Sequence, residues 1–240
     1  MKVLVAGGRG FIGARAVSAA AAAGHEAGIL EHGDDAAAVC GAGWDALVCA
    51  ALGHLPSLTR VVYLSSGETY GAQDVPFVED APLLGTSPYA LAKIEGERAL
   101  TSACASRGVD LTILRPSVVH GPGQRGPMFL PSLEHALAHD ERFAMTAGEQ
   151  TRDLVHVDDV AAAIVLALTG PAGTYNISSG TELTLRDLAL TIATRAGKPH
   201  LLAIGALPYR PNEQMRYLLS PARASTTLGW KGTRSPLSTS

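Results

Sequence analysis

Apolar positions in the first half of the chain come in short, nearly continuous runs. Lys2 to Ala6, Ala27 to Leu30, Trp44 to Ala51, Arg60 to Ser65 and Leu111 to Leu114 each read as a strand buried on both faces. Between them lie segments of helical composition: Phe11 to Ala23, closed by Gly24 as a C-cap, and the stretch around Tyr89 to Ala105. Asp34 to Cys40 reads as a loop or a short helix. Strands alternating with helices predict an α/β fold, a doubly wound parallel sheet covered on both faces.

The second half changes character. Pro116, Pro122, Pro127 and Pro131 break the regularity ahead of helices near Leu133 to Ala138 and Val160 to Leu168. The expected division is a large domain over 1–115 with parts of 150–180, and a small substrate-binding lobe from 116–150 and 180–235. The polar tail 233–240 is expected to fray.

Composition narrows the function classes. With 47% hydrophobic and 17% charged residues among 240, the chain can bury a substantial core. A net charge of -3, with Lys and Arg scattered, provides no basic stripe for nucleic acid or an anionic membrane surface, so a small soluble substrate is expected. Cys40, Cys49 and Cys104 stand far apart without a Cys-x-x-Cys pair, which suggests neither a disulfide framework nor a metal site, and reduced thiols in the cytoplasm. No apolar run reaches the ~20 residues of a membrane span, and Ala16 to Ala23 reads as a helix of the best helix former.

Candidate chemistry begins at Gly7, Gly8, Gly10 and Gly13. Between strand and helix they satisfy both Gly-x-x-Gly-x-x-Gly and Gly-x-Gly-x-x-Gly, the spacing that lets backbone approach a pyrophosphate at a helix N-terminus. Glu31 closes the next strand, where a carboxylate can accept hydrogen bonds from the adenosine ribose. It would repel a 2′-phosphate, so NAD is expected over NADP, although Arg9 or His32 could also lie near that ribose.

Tyr89 and Lys93, four residues apart on a helix, share a face. An ammonium beside a phenol stabilises phenolate, which suits the tyrosine to acid/base work near neutral pH. Ser65 and Ser66 end the fourth strand at the carboxyl edge of the sheet, where ligands bind in open α/β folds and a hydroxyl could hold a substrate oxygen.

Three segments, Gly7-Gly8-Arg9-Gly10-Phe11-Ile12-Gly13, Ser65-Ser66-Gly67-Glu68-Thr69-Tyr70-Gly71 and Pro88-Tyr89-Ala90-Leu91-Ala92-Lys93, together resemble the extended short-chain dehydrogenases. These are Rossmann-type enzymes, mostly nucleotide-sugar epimerases, dehydratases, decarboxylases and ketoreductases. The resemblance continues through Leu114-Arg115-Pro116, Gly121-Pro122-Gly123, Thr151 to Val160, Tyr175-Asn176-Ile177 and Arg210-Pro211-Asn212-Glu213. It implies a catalytic set of Ser66, Tyr89, Lys93 and Glu68, with Glu68 removing a proton beside a transient ketone. It implies cofactor contacts at Gly7, Gly10, Phe11, Ile12, Gly13, Glu31, Ala50, Ala51, Tyr89, Lys93 and Pro116. For substrate it implies Ser66, Arg152, Arg210 and Glu213, with Arg210 gripping a nucleotide diphosphate.

The chain departs from the family pattern at several places. Glu31 to Asp45 and Ala51 to Arg60 are short, so an edge strand and one covering helix are expected to be lacking, and the usual homodimer interface reduced. Val118 and His120 replace an asparagine and a tyrosine, with His120 expected to pack in its loop, and the chain stops soon after Leu228-Gly229-Trp230. The implied activity is NAD(P)-dependent hydride transfer at C4 of a nucleotide-activated sugar. The alternatives are a cofactor-binding sensor without turnover and a reductase of a non-sugar carbonyl compound.

Overall fold

The computed structural model describes residues 1–32, 34, 39, 44–48 and 58–234. A six-stranded parallel sheet carries the larger layer, built from β1 (Lys2–Ala6), β2 (Glu26–Leu30), β3 (Ala46–Val48), β4 (Arg60–Leu64), β5 (Asp110–Pro116) and β9 (Gly173–Ile177) in the order β2-β1-β3-β4-β5-β9. The order reverses direction between β1 and β3, so a crevice opens outside the carboxyl ends of these two strands. The expected Rossmann-type sheet is present, and β2 is its outermost strand on that side among the described residues. The segments whose shortness suggested a missing edge strand and covering helix lie largely outside the described residues, as do Cys40 and Cys49.

Side-chain alternation fills both faces of the sheet. Val3, Val5 and Val62 point to one side, where α1 (Phe11–Ala22), α4 (Val157–Thr169) and Trp230 close the core. Leu4, Val61 and Tyr63 point to the other, against Leu100 and Cys104 of α2 (Pro88–Arg107). Trp44 packs onto Gly28 of β2, where a Cβ would lie 2.2 Å from the indole. The helices begin at local caps: Ser87 accepts from Ala90 N–H ahead of Pro88, and the ring of His156 accepts from Asp158 N–H. That second cap starts α4 three residues ahead of the expected Val160.

The rest forms a lobe over the carboxyl edge of the sheet. β6 (Val118–His120), β8 (Thr151–His156) and β10 (Glu182–Thr184) make one small sheet, and β7 (Phe143–Met145) and β11 (Leu202–Ile204) another. Helices α3 (Phe129–Ala138) and α5 (Leu185–Arg195) pack through Leu133, Leu137, Met145, Ala189 and Ala193. Among the described residues no helix is long and apolar enough to cross a membrane.

Candidate active site

The glycine turn between β1 and α1 is shaped by close approach. Gly7 sits at φ +72°, its N–H donating to Leu30 O at 2.8 Å, and Gly10 N–H donates back to Gly7 O at 2.9 Å. A Cβ at Gly13 would lie 2.0 Å from Gly7 O, so the helix meets the turn only because that position has no side chain. Gly10 caps α1 without a side-chain bond, and the first turn holds no acidic residue. The leading N–H groups of a helix have no intrahelical acceptor, and the first turn of α1 supplies no carboxylate to compete for them. A cavity of about 310 Å³ lies over this turn, lined by Gly7, Gly10, Phe11, Ile12, Gly13 and Leu64 among others. The shape and the exposed helix terminus fit a dinucleotide pyrophosphate.

Glu31 lies where a ribose-binding carboxylate is expected, and it is fixed there. It accepts from Arg9 N–H at 2.7 Å, while its own N–H donates to Asp34 at 2.8 Å. The side chains of Arg9 and His32 are exposed. Ala50 and Ala51 lie outside the described residues.

A second cavity of about 1050 Å³ shares Phe11, Ile12 and Leu64 with the first and runs between the sheet edge and the lobe. Ser66, Glu68, Tyr89, Lys93 and Pro116 all line it. Lys93 Nζ donates to the carbonyl of Leu64 at 2.8 Å, anchoring α2 to the end of β4, and stands 5.7 Å from the Tyr89 ring centroid. Tyr89 is half exposed toward this space.

The two serines separate by strand alternation. Ser65 turns inward and donates to Glu97 at 2.5 Å, whereas Ser66 faces the cavity and accepts from Glu68 N–H at 3.1 Å. The Glu68 carboxylate accepts from the hydroxyl of Ser87, the cap of α2, at 2.6 Å. Glu68 is thereby tied to the helix that carries Tyr89 and Lys93.

The lobe supplies the opposite wall. Arg210 is exposed and lines the cavity. Arg152 and Glu213 also line it, but their charges are turned on each other in a 2.6 Å ion pair, and Arg152 further donates to the carbonyls of Thr151 and Gln214. His120 is not in a loop: it ends β6, buried, with its ring edge-on to His156 at 5.3 Å. Burial first, and then the neighbouring His156, lower its pKa to about 4, so it is neutral at ordinary pH.

Sequence reasoning missed the layer beneath the site. Arg115 meets Glu97 through two hydrogen bonds of 2.9 and 2.6 Å, and its other arm donates to Tyr70 Oη and to Glu79 O. Glu97 follows Lys93 at a four-residue spacing, a signal that was available. Tyr217, on the cavity wall, carried no local signal.

A family model described as "NAD dependent epimerase/dehydratase family" matches residues 42–178, more than half of the 240. The chain belongs to this family. Among its relatives, a UDP-glucose 4-epimerase of Mycolicibacterium smegmatis is 35% identical over 188 residues, 74% of this chain and 59% of that protein. A dTDP-glucose 4,6-dehydratase of Streptomyces niveus is 31% identical over 177 residues, 72% of this chain and 52% of that protein. The chain thus spans under two thirds of the length of these curated members. Among solved structures, MoeE5 in complex with UDP-glucuronic acid and NAD superimposes with a TM-score of 0.85 at 26% identity, covering 99% of this chain and 95% of the other. The fold of RMD from Pseudomonas aeruginosa, complexed with NADPH, matches with a TM-score of 0.85 at 22% identity over 98% of this chain and 95% of that one. Solved neighbours of this fold thus include one with NAD and one with NADPH.

Proposed function

We propose that this family member binds NAD(H) over the glycine turn and a nucleotide-activated sugar in the larger cavity, and promotes hydride transfer at C4 of the sugar. The observation that supports it most is the convergence of Ser66, Glu68, Tyr89 and Lys93 on one cavity that shares Phe11, Ile12 and Leu64 with the space over the glycine turn. Bound nicotinamide supplies the hydride acceptor and donor. The chain supplies position and proton management. Tyr89 takes the proton from the sugar hydroxyl as a carbonyl forms and returns it on reduction. Lys93, held by Leu64 O, keeps positive charge beside the phenol, and Ser66 donates to the same sugar oxygen.

Glu68 lies within the same turn as Ser66 and is oriented by Ser87, which suits it to removing a proton from the carbon beside a C4 ketone. This favours outcomes that use such a proton over simple epimerisation. Arg210 is the cation we assign to the diphosphate, while Arg152 and Glu213 brace that wall. The substrate is bounded by the lobe of 116–150 and 180–235 and by the sheet edge of 1–115. Glu31, fixed by Arg9 N–H, supports NAD over NADP.

Calorimetric titration with NAD and NADP, repeated with UDP-, dTDP- and GDP-glucose while reduced nicotinamide absorbance is followed, tests this reading. Cofactor binding with sugar-dependent reduction supports it. Tight binding without any redox change for any sugar supports a sensor instead.

A further inference from the structure

Lys93 serves the proposed acid/base pair by keeping positive charge beside Tyr89, and two successive residues of β4 hold that charge in place. Its Nζ donates to the Leu64 carbonyl at 2.8 Å and lies over the Tyr63 ring, 5.2 Å from the centroid. Tyr63 is 5% exposed and packs with Val61, Leu100 and Cys104 on the side of the sheet that α2 covers. Lys93 lines the larger cavity, whereas Tyr63 is buried behind it and is not among the lining residues. None of the roles above uses Tyr63.

The slot for this ring is cut into the helix. A Cβ at Gly96 would lie 2.2 Å from Tyr63 Oη and 2.8 Å from its Cζ, so only a glycine lets the ring fit there. Gly96 follows Lys93 by three residues and shares its face of α2, although a glycine inside a helix weakens it. Glu97, the next carboxylate along, is turned on Arg115 and Ser65. A ring is the neighbour that suits the cation. Its negative face attracts an ammonium without adding a formal negative charge and without fixing the direction of any of the three N–H donors. A carboxylate at this place would cancel the charge that Tyr89 needs, and an aliphatic side chain would leave it unheld.

We propose that Tyr63 is a positioning residue for the acid/base pair: its ring face, admitted by Gly96, keeps the Lys93 ammonium beside Tyr89. This rests on the acid/base role proposed above for Tyr89. The ammonium stands 5.7 Å from the Tyr89 centroid, within cation–π reach of both rings, while the Leu64 carbonyl sets its depth. Without the Tyr63 ring the ammonium retains the Leu64 bond but loses its backing, and its stem is free to swing along the open cavity. Phenolate at Tyr89 then loses part of its stabilisation and forms at higher pH.

The test is a tyrosinate absorbance titration of the full chain, each protein read against its own Tyr89→Phe counterpart so that the difference reports Tyr89. Tyr63→Leu, which removes the ring, is expected to raise the Tyr89 midpoint by about half a pH unit or more. Tyr63→Phe, which keeps the ring face, is expected to titrate with the wild type. An unmoved midpoint in Tyr63→Leu overturns the proposal. An equal rise in Tyr63→Phe overturns it too, because the hydroxyl rather than the ring face would then be responsible. Should Tyr63→Leu fail to fold by circular dichroism, Gly96→Ala, which displaces the ring without removing it, must raise the midpoint instead, and an unchanged midpoint there overturns the proposal. Failure of every sugar nucleotide to reduce nicotinamide in the wild type would overturn the nucleotide-sugar reading, whereas the titration, which uses no substrate, still supports or overturns the role of Tyr63.

Discussion

Glu97 and Arg115 form a bidentate ion pair beneath the candidate active site, each side chain 6% exposed, with Ser65 donating to the same carboxylate. Glu97 sits on α2 one turn beyond Lys93, and Arg115 on β5 next to the strand that ends in the serine pair. The pair thus fixes α2 to β5, and the Ser65 bond ties the same carboxylate to the end of β4. Removing one partner of a buried pair strands the other charge, at a cost of about 3–5 kcal/mol. Glu97→Leu is expected to lower unfolding free energy by that order in denaturant titration, and Glu97→Gln, which keeps the shape and some hydrogen bonding, by less. If both variants unfold at the wild-type midpoint, the pair does not hold the helix.

Tyr89→Phe removes the phenolic proton without altering the exposed ring's packing. Loss of a positioned acid/base group costs about 10²- to 10⁴-fold in turnover. Steady-state kinetics on the accepted sugar nucleotide should show that loss in kcat, with the NAD dissociation constant changed little. A fall in cofactor affinity without a fall in kcat would contradict the role assigned to the residue.

Gly13→Ala places a methyl 2.0 Å from Gly7 O, against backbone that cannot retreat without opening the turn. The expected outcome is at least a hundred-fold loss of NAD affinity by calorimetry, with the rest of the fold retained by circular dichroism. Gly24→Ala makes a useful contrast, because no atom lies within 4 Å of its Cβ and only its φ of +82° is strained. That change should cost stability and leave NAD affinity unaltered.

His120 carries a pH signature. Its pKa in the folded chain is about 4, against about 6.5 when unfolded, so below 6.5 the unfolded chain takes up a proton that the folded chain refuses. Stability from this group is therefore complete above pH 6.5 and declines as pH falls toward 4, by an amount on the order of 3 kcal/mol. Urea unfolding at pH 7.5 and 5.0 should show the decline in the wild type and a flatter response in His120→Phe. Identical slopes would show that some other group governs acid sensitivity.

The parts of this molecule that sequence made legible are those whose physics is local. The glycine spacing and the Tyr89–Lys93 spacing both work within a few residues, and each is found where the pattern put it. Strand ends moved by one to a few residues, as with β5, which runs on to Pro116 through pairing with β9. Helix α5 went unseen, although Thr184 followed three residues later by Asp187 is a capping signature that the structure uses, with Thr184 accepting from Asp187 N–H. The three-residue strands of the lobe have too few positions to show a period. Tyr217 and the Glu97–Arg115 pair belong to contacts between distant segments, for which a single sequence has no register.

The fully buried carboxylate of Asp153 in β8 has a mechanical consequence. It accepts from the hydroxyl of Ser117, from the N–H and hydroxyl of Ser179, and from Leu219 N–H. Ser117 and Ser179 follow β5 and β9, where the chain leaves the large sheet, and Leu219 is bridged to Phe77. One side chain thereby rivets these crossings together, and any rotation of the lobe about them would break the bonds at once. The side of the larger cavity lined by Ser117, Arg152 and Leu154 is thereby pinned to the sheet, whereas Met128 and Leu207, which also line it, are exposed.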